Sequence, residues 1–336
     1  MKYALILFSL FILFQPAFGQ DEQTAPETYT QERGAAPPEA RSFTGNIKPS
    51  QPKKTGEERK RQPNVEIWLP PEFQKSEEKW PLLIFSHGFG GCSKQSKFLT
   101  QYLADHGYIV IAPDHEDANC DRFSAGGLRS TLQAMRSGKD MRPERPFRTP
   151  EAWTDETETD RRDDVLFALS SMLDDRQYKN YIDTDKMGLI GHSLGGYTVL
   201  GLAGAWPTWK DKRFKAVLAL SPFAGPYYGP HGLYKVNVPV MYQGGTKDDD
   251  ITPKLKSIGY PQAKVPKYLV ELDGAGHFAW TELDTSYQGI INQSALAFFD
   301  KYVKGIKDVQ ILPEGVKIPK VKTYWRDEGK ASSVTP

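Results

Sequence analysis

Ile190-Gly191-His192-Ser193-Leu194-Gly195-Gly196 follows the apolar run Met187 to Ile190 and precedes a helix-like stretch, Tyr197 to Gly204. The pattern G-x-S-x-G in that setting reads as strand, sharp turn, helix, with the serine hydroxyl thrust outward from a strained elbow. Glycines belong on both sides, because the turn needs backbone angles and a helix–strand approach that a β-carbon obstructs. Glycine-rich turns of this kind also occur for packing alone, so the rest of the chain has to decide what Ser193 is for.

Outward from the elbow, apolar runs alternate with helical patterns. Val65 to Leu69, Leu82 to Ser86, Tyr108 to Ala112, Met187 to Ile190, Ala216 to Leu220, Val238 to Gln243 and Tyr268 to Leu272 read as strands. Most are continuously apolar, as parallel strands covered on both faces must be. Lys97 to His106, Asp160 to Asp174, Ser193 to Ala205 and Gly289 to Tyr302 read as helices. In the second of these, Val165, Leu166, Ala168, Leu169, Met172 and Leu173 recur at helical spacing behind an acidic first turn. This alternation predicts an α/β fold, an open and mainly parallel sheet with helices on both faces, over residues 64–305.

The ends of the 336-residue chain differ from this core. Lys2, the apolar run Ala4 to Phe14 and the small residues around Ala17 to Gly19 read as a signal peptide over 1–19. An apolar run of that length falls short of the roughly twenty residues of a membrane span, so no transmembrane anchor is expected after processing. The implied location is secreted or periplasmic. Residues 20–63 hold six prolines and only Tyr29, Phe43 and Ile47 as large apolar groups, the composition of a disordered tether. Residues 306–336 form a proline- and lysine-rich tail, whose Ile311, Leu312, Val316, Ile318, Val321 and Trp325 can pack against the body. A net charge of +1 gives no electrostatic reason to expect nucleic acid as a partner.

A serine hydroxyl attacks a carbonyl at neutral pH only with a base to take its proton and an acid to orient that base. In this fold order the acid follows the serine and the histidine comes last. Only His231 and His277 lie beyond Ser193. His277 occupies a glycine-rich turn, Gly274-Ala275-Gly276-His277-Phe278, directly after a strand, where active sites of such sheets form. His231 reads as a surface loop residue. The acid must come from the loop after Val238 to Gln243, which offers Asp248, Asp249 and Asp250 in a row, and chemistry alone does not choose among them. No histidine or further acid accompanies this triplet at metal-ligand spacing, so neither metal nor cofactor is expected. The oxyanion donors expected are the backbone N–H groups of Leu194, at the helix start, and of Phe89, in the loop Ser86-His87-Gly88-Phe89-Gly90-Gly91. His87 is assigned a structural role there. Cys92 and Cys120, an even pair in an exported chain, are expected to form a disulfide that stiffens this loop.

These residues carry a resemblance to the serine-dependent branch of the α/β-hydrolase superfamily. Ile84 to Gly90 followed by Leu103 to Val110 resembles platelet-activating-factor acetylhydrolases. Asp249-Asp250-Ile251-Thr252-Pro253 and Glu271 to Phe278 are similar to bacterial cutinases and polyester hydrolases, and Gly191 to Thr198 to dienelactone-hydrolase-like proteins. The cutinase likeness, in which the acid stands four residues before the proline, implies Asp249, with Asp248 as competitor. The best-known dienelactone hydrolases use a cysteine nucleophile, so Ser193 points away from lactones. The implied activity is hydrolysis of carboxylic esters of short acyl or aryl type. Lipids and polyesters are the alternative substrates, and a non-catalytic binding module on the same fold is the more distant reading.

The substrate itself is less legible. Phe223 and Trp280 are the candidate pocket residues, with Phe89, Tyr197, Tyr227 and Phe278 nearby in sequence loops. Residues 121–159 form a long insertion in a place where such folds often carry a lid. Its Arg129–Arg148 portion has six basic residues against two acidic, whereas Glu151–Asp164 has seven acidic against two basic. Mutual salt bridging and solvation account for this polarity more simply than an anionic substrate does.

Overall fold

The computed structural model describes residues 41–45, 62–73, 75, 78–123, 147, 149–229 and 232–329. The signal-peptide stretch, His231 and most of the basic part of the insertion lie outside these. Among the described residues nine strands form one sheet: β1 (Arg41–Gly45), β2 (Val65–Leu69), β3 (Trp80–Ser86), β4 (Ile109–Pro113), β5 (Ile182–His192), β6 (Phe214–Leu220), β7 (Val240–Gly245), β8 (Lys267–Leu272) and β9 (Val321–Asp327). The order is β1-β2-β4-β3-β5-β6-β7-β8-β9. The six central strands run parallel, while β1, β2 and β9 are antiparallel to their neighbours at the margins.

Alternation within the strands places side chains on two apolar layers. On β3, Leu82 and Ile84 join the layer built on helix α2 (Thr159–Asp174) and helix α3 (Leu194–Leu200), through Val165, Leu169, Met172, Tyr197 and Val199. Leu83 and Phe85 face the other way, towards helix α1 (Lys97–Asp105) and helix α4 (Gln288–Phe299), through Leu99, Leu103, Ile291 and Phe298. Covering both faces explains why the parallel strands carry so few polar residues.

The seven strands and four helices expected from sequence are present, with ends displaced by a few residues. Two further strands were not anticipated. Arg41–Gly45 lies inside the stretch read as a tether, yet it pairs along β2 from Arg41 opposite Leu69 to Gly45 opposite Val65. In the tail, β9 pairs with β8 from Asp327 opposite Lys267 to Val321 opposite Leu272, and Ile311, Leu312 and Ile318 are buried beneath it. Edge strands bury little and carry charge, so their composition does not distinguish them from loops. Among the described residues no helix is long and apolar enough to cross a membrane.

The topology also fixes where a site can form. After β3 the chain crosses to β4 on one side, then returns to lay β5 on the other. The connections leaving the carboxyl ends of β3 and β5 therefore pass to opposite faces of the sheet, the switch point at which open α/β sheets bind ligands. Their ends are level, since Ser86 pairs with Gly191 and His192 with Leu220.

Candidate active site

Ser193 sits directly after β5 with φ 54° and ψ −116°, outside the regions a side-chain-bearing residue ordinarily occupies. Hydrogen bonds hold it there: its N–H donates to Leu220 O at 3.0 Å, and its carbonyl accepts from Phe223 N–H at 2.8 Å. The flanking glycines are required by contact. A β-carbon on Gly191 would overlap the Gly195 carbonyl, and one on Gly195 would overlap the carbonyl of Ser86. The G-x-S-x-G spacing thus brings α3 hard against the end of β3 and leaves the serine at the turn.

His277 and Asp248 converge on this serine from β8 and β7. His277 Nε2 lies 2.8 Å from Ser193 Oγ, and His277 Nδ1 lies 3.1 Å from Asp248 Oδ2. The two supporting loops are stitched together, with Thr246 N–H on Leu272 O at 3.0 Å and Lys247 N–H on Ala275 O at 2.9 Å. Asp248 is buried and Asp249 and Asp250 are exposed. The expectation of Asp249 is therefore corrected: Asp248 is the carboxylate that meets His277. The strand ends at Gly245, whose carbonyl accepts the Asp248 N–H at 3.1 Å, and that tight turn swings residue 248 back over the sheet. Counting back from Pro253 misses by one residue because the register of the turn, and not the distance to the proline, aims the side chain.

A residue absent from the sequence reading completes the group. Ser221, directly after β6, has φ 40° and is fully buried. Its hydroxyl donates to Asp248 Oδ2 and lies 2.9 Å from His277 Nδ1. The hydrogen on Nδ1 thus points between Asp248 and Ser221, an assignment made from hydrogen-bond geometry, which leaves Nε2 as an acceptor facing Ser193. Burial favours the neutral form of Asp248, but hydrogen bonds from His277 and Ser221 outweigh it and hold the carboxyl below its ordinary value. The group is a chain of hydrogen bonds able to draw a proton from Ser193 Oγ.

The loop after β3 runs alongside. A β-carbon built on Gly88 would stand 3.3 Å from Ser193 Cβ, so the Gly88–Phe89 backbone borders the nucleophile, opposite the start of α3 at Leu194. Buried groups grip this loop. Arg161 of α2 donates to the His87 carbonyl and, at 2.5 Å, to Asp117, whose other oxygen accepts Gly90 N–H at 2.6 Å. His87 bears out its structural reading: Nδ1 donates to Gly88 O at 2.7 Å, and Nε2 accepts His115 N–H at 3.0 Å. Ser86, His115 and Asp164 form a second, wholly buried chain beneath, with His115 Nε2 2.8 Å from Ser86 Oγ and Nδ1 3.2 Å from Asp164 Oδ2. Cys92 and Cys120 are joined, with Cα atoms 5.2 Å apart, tying this loop to the one after β4.

The pocket expectations divide. Phe223 is half-buried and packs with Phe147 and Trp153, ring centroids 5.4 and 5.1 Å away, while Phe147 also meets Phe89 at 5.4 Å. Trp280 is corrected: it is fully buried and donates its indole N–H to Gln243 Oε1 at 2.8 Å, a core residue. Tyr197 and Tyr227 likewise are core residues, stacked at 5.1 Å.

Two buried histidines give the site a pH signature. Burial, reinforced by Arg161, pushes His87 down to about 4, and burial, reinforced by His277, pushes His192 down to about 3. An unfolded chain protonates both near 6.5. Below that pH the unfolded state binds protons that the folded state refuses, so stability is lost as pH falls from 6.5 towards 4. At pH 4.5 each histidine should cost about 2–3 kcal/mol of unfolding free energy relative to neutral pH. Urea unfolding across this range checks it, and a curve flat from pH 7 to 4.5 would contradict it.

The Esterase family model matches residues 56–288. The chain is 26% identical to platelet-activating factor acetylhydrolase of Cavia porcellus over 68% of its own length and 59% of that protein's. It is 31% identical to the Bos taurus protein of the same name over 44% of its length and 36% of the relative's. It is also 27% identical to dipeptidyl-peptidase 5 of Porphyromonas gingivalis, over 46% of this chain and 19% of that one. The chain thus spans about three fifths or less of these relatives. A matching family model across two thirds of the chain, on a mainly parallel sheet with a serine elbow at its switch point, identifies the chain as a member of the Esterase family with the α/β-hydrolase fold.

Proposed function

We propose that the protein is an exported serine hydrolase that cleaves carboxylic esters through an acyl-enzyme on Ser193. The observation that carries the reading is the chain Ser193–His277–Asp248, built on a strained elbow at the switch point of the sheet. As Ser193 Oγ attacks the ester carbonyl, His277 Nε2 takes its proton. Asp248, with Ser221, holds the ring and stabilises the charge that forms on it. The carbonyl oxygen, now negative, accepts from the N–H groups of Leu194 and Phe89. Collapse of this intermediate expels the alcohol, which recovers its proton from His277. Water then adds to the acyl carbon as His277 takes its proton, and the second intermediate breaks its bond to Ser193 Oγ, which regains that proton from His277 as the acid leaves. No step needs a cofactor. The Cys92–Cys120 disulfide suits the oxidising surroundings of an exported chain.

The rings of Phe89, Phe147, Phe223 and Trp153 pack together, and Phe223 is bonded through its N–H to the Ser193 carbonyl, so an apolar surface lies near the nucleophile; we read it as the wall for a short acyl or aryl group. The name of the acetylhydrolase relatives supports an acetyl ester, and a lipase- or phospholipase-type substrate stands as the second reading. A panel of p-nitrophenyl esters from acetate to palmitate, with a short-acyl phospholipid and a polyester film alongside, tests this. We expect kcat/KM to be at least about tenfold higher for acetate or butyrate than for palmitate, each added methylene being worth about 1 kcal/mol or more where it does not fit. Preference for palmitate would move the assignment to the lipase alternative.

A further inference from the structure

Gln95 occupies a place that neither the hydrogen-bond chain of Ser193 nor the grip of Arg161 explains. It belongs to the loop after β3 and is buried at 2% exposure where that loop meets the loop after β8. Its Oε1 accepts Gly88 N–H at 3.2 Å, and the loop wraps so closely that a β-carbon on Gly91 would overlap the same oxygen. Its Nε2 lies 3.1 Å from His192 Nδ1 and 3.4 Å from Ser96 Oγ. Because Gly88 N–H can only donate, it fixes the amide with oxygen towards the loop and nitrogen towards His192. His192 Nδ1 must then accept, so Nε2 carries the hydrogen, and Nε2 lies 2.9 Å from the His277 carbonyl. Ser96, held at φ 58°, donates to Trp280 O at 2.5 Å.

Two paths therefore leave one carboxamide, and both end on the backbone of the loop that carries His277. The first passes through His192 to residue 277 itself, the second through Ser96 to residue 280. At its other end the same carboxamide holds the His87–Gly88 peptide, one residue before the peptide that carries the Phe89 N–H. Every donor and acceptor along both paths is matched. A buried polar group so fully connected is rigid, and a half-satisfied one would be costly.

We propose that Gln95 is a positioning residue that sets the distance between the oxyanion loop and the base His277, so that the Phe89 N–H and His277 Nε2 address the same tetrahedral centre. This rests on the hydrolase reading above. Gln95 does not touch substrate, so its loss should appear in the chemical step and not in binding.

The test uses the full chain and an activated short-chain ester, with active sites counted by a fluorophosphonate probe. Gln95→Met keeps length and removes both hydrogen bonds. Its kcat per titrated site should fall about 30–100-fold, the scale of an ångström-sized misplacement, with KM within about threefold of wild type. Gln95→Glu keeps the acceptor for Gly88 but offers His192 no hydrogen unless a proton is taken up. The charged or titratable groups facing His192 are His277, His87 and Asp248. These are common to both proteins, so the ratio of mutant to wild-type kcat should rise as pH falls from 8.5 to 6. A merely structural role would lower the melting temperature and leave that ratio flat. Should both variants fail to fold, Ser96→Ala, which cuts the path to Trp280 alone, decides, with a severalfold fall in kcat expected. A kcat per site unchanged in folded Gln95→Met, or in Ser96→Ala where that variant decides, overturns the proposal. If wild type itself takes no probe, it is the hydrolase reading that has failed.

Discussion

Ser193→Ala should lower kcat on a short-chain ester by about 10^4–10^6-fold, leaving KM and the melting temperature close to those of wild type. The fold should tolerate the change. The unusual backbone of residue 193 is imposed by hydrogen bonds to Leu220 and Phe223, which alanine keeps. Removing the hydroxyl deletes the atom that bonds to carbon, and nothing else at the elbow can replace it. Ser221 is the nearest other hydroxyl in the group, but it is fully buried and donates to Asp248. The residual rate of the variant reports what binding and the oxyanion donors do unaided. Steady-state kinetics with tryptic mapping to exclude wild-type contamination checks the size of the loss.

Asp248→Asn should cost about 10^3–10^4-fold in kcat, whereas Asp249→Asn should stay within about threefold of wild type. The asymmetry follows from burial and contact. Asp248 accepts from His277 Nδ1 at 3.1 Å, while Asp249 is exposed. An asparagine at 248 can turn its NH2 towards the ring, which favours the tautomer whose hydrogen is on Nε2. That hydrogen then points at Ser193, and the base is lost. Ser221 can still accept from Nδ1, which is why the expected loss is smaller than for the nucleophile. The depressed carboxyl of Asp248 has a second consequence: its contribution to stability is present above the ordinary carboxylate range and lost as pH falls through the folded value. Equal losses in the two variants, or a larger one at 249, would contradict the assignment.

Much of this was legible in the chain because local physics writes it there. Continuous apolar runs marked the parallel strands, since both faces of such a sheet are covered. The elbow was readable because only glycine fits between Ser86, Gly191 and Gly195. His277 followed from position, as one of two histidines after Ser193 and the one in a glycine-rich turn. What stayed hidden depends on registers and on contacts across the sheet. Asp248 and Asp249 differ by one residue in a turn, which inverts the side-chain direction without changing composition. Ser221 is an unremarked serine before a proline until β6 and β7 bring it beside His277. Gln95 and Arg161 are ordinary polar residues in sequence, and their burial is set by neighbours 97 and 74 positions away. Trp280 was misplaced for the converse reason, since proximity in sequence to His277 says nothing about which side of the loop faces the core. The two marginal strands, β1 and β9, carry a few apolar residues scattered among charged and polar ones, a composition that does not set an edge strand apart from a loop.

The nucleophilic role of Ser193 is tested most directly by treating the folded protein with a fluorophosphonate and mapping the adduct by peptide mass. One adduct per chain is expected, on the peptide containing Ser193, lost in Ser193→Ala and slowed by orders of magnitude in His277→Ala. No adduct on folded wild-type protein, or an adduct on another serine with Ser193 unmodified, would contradict it.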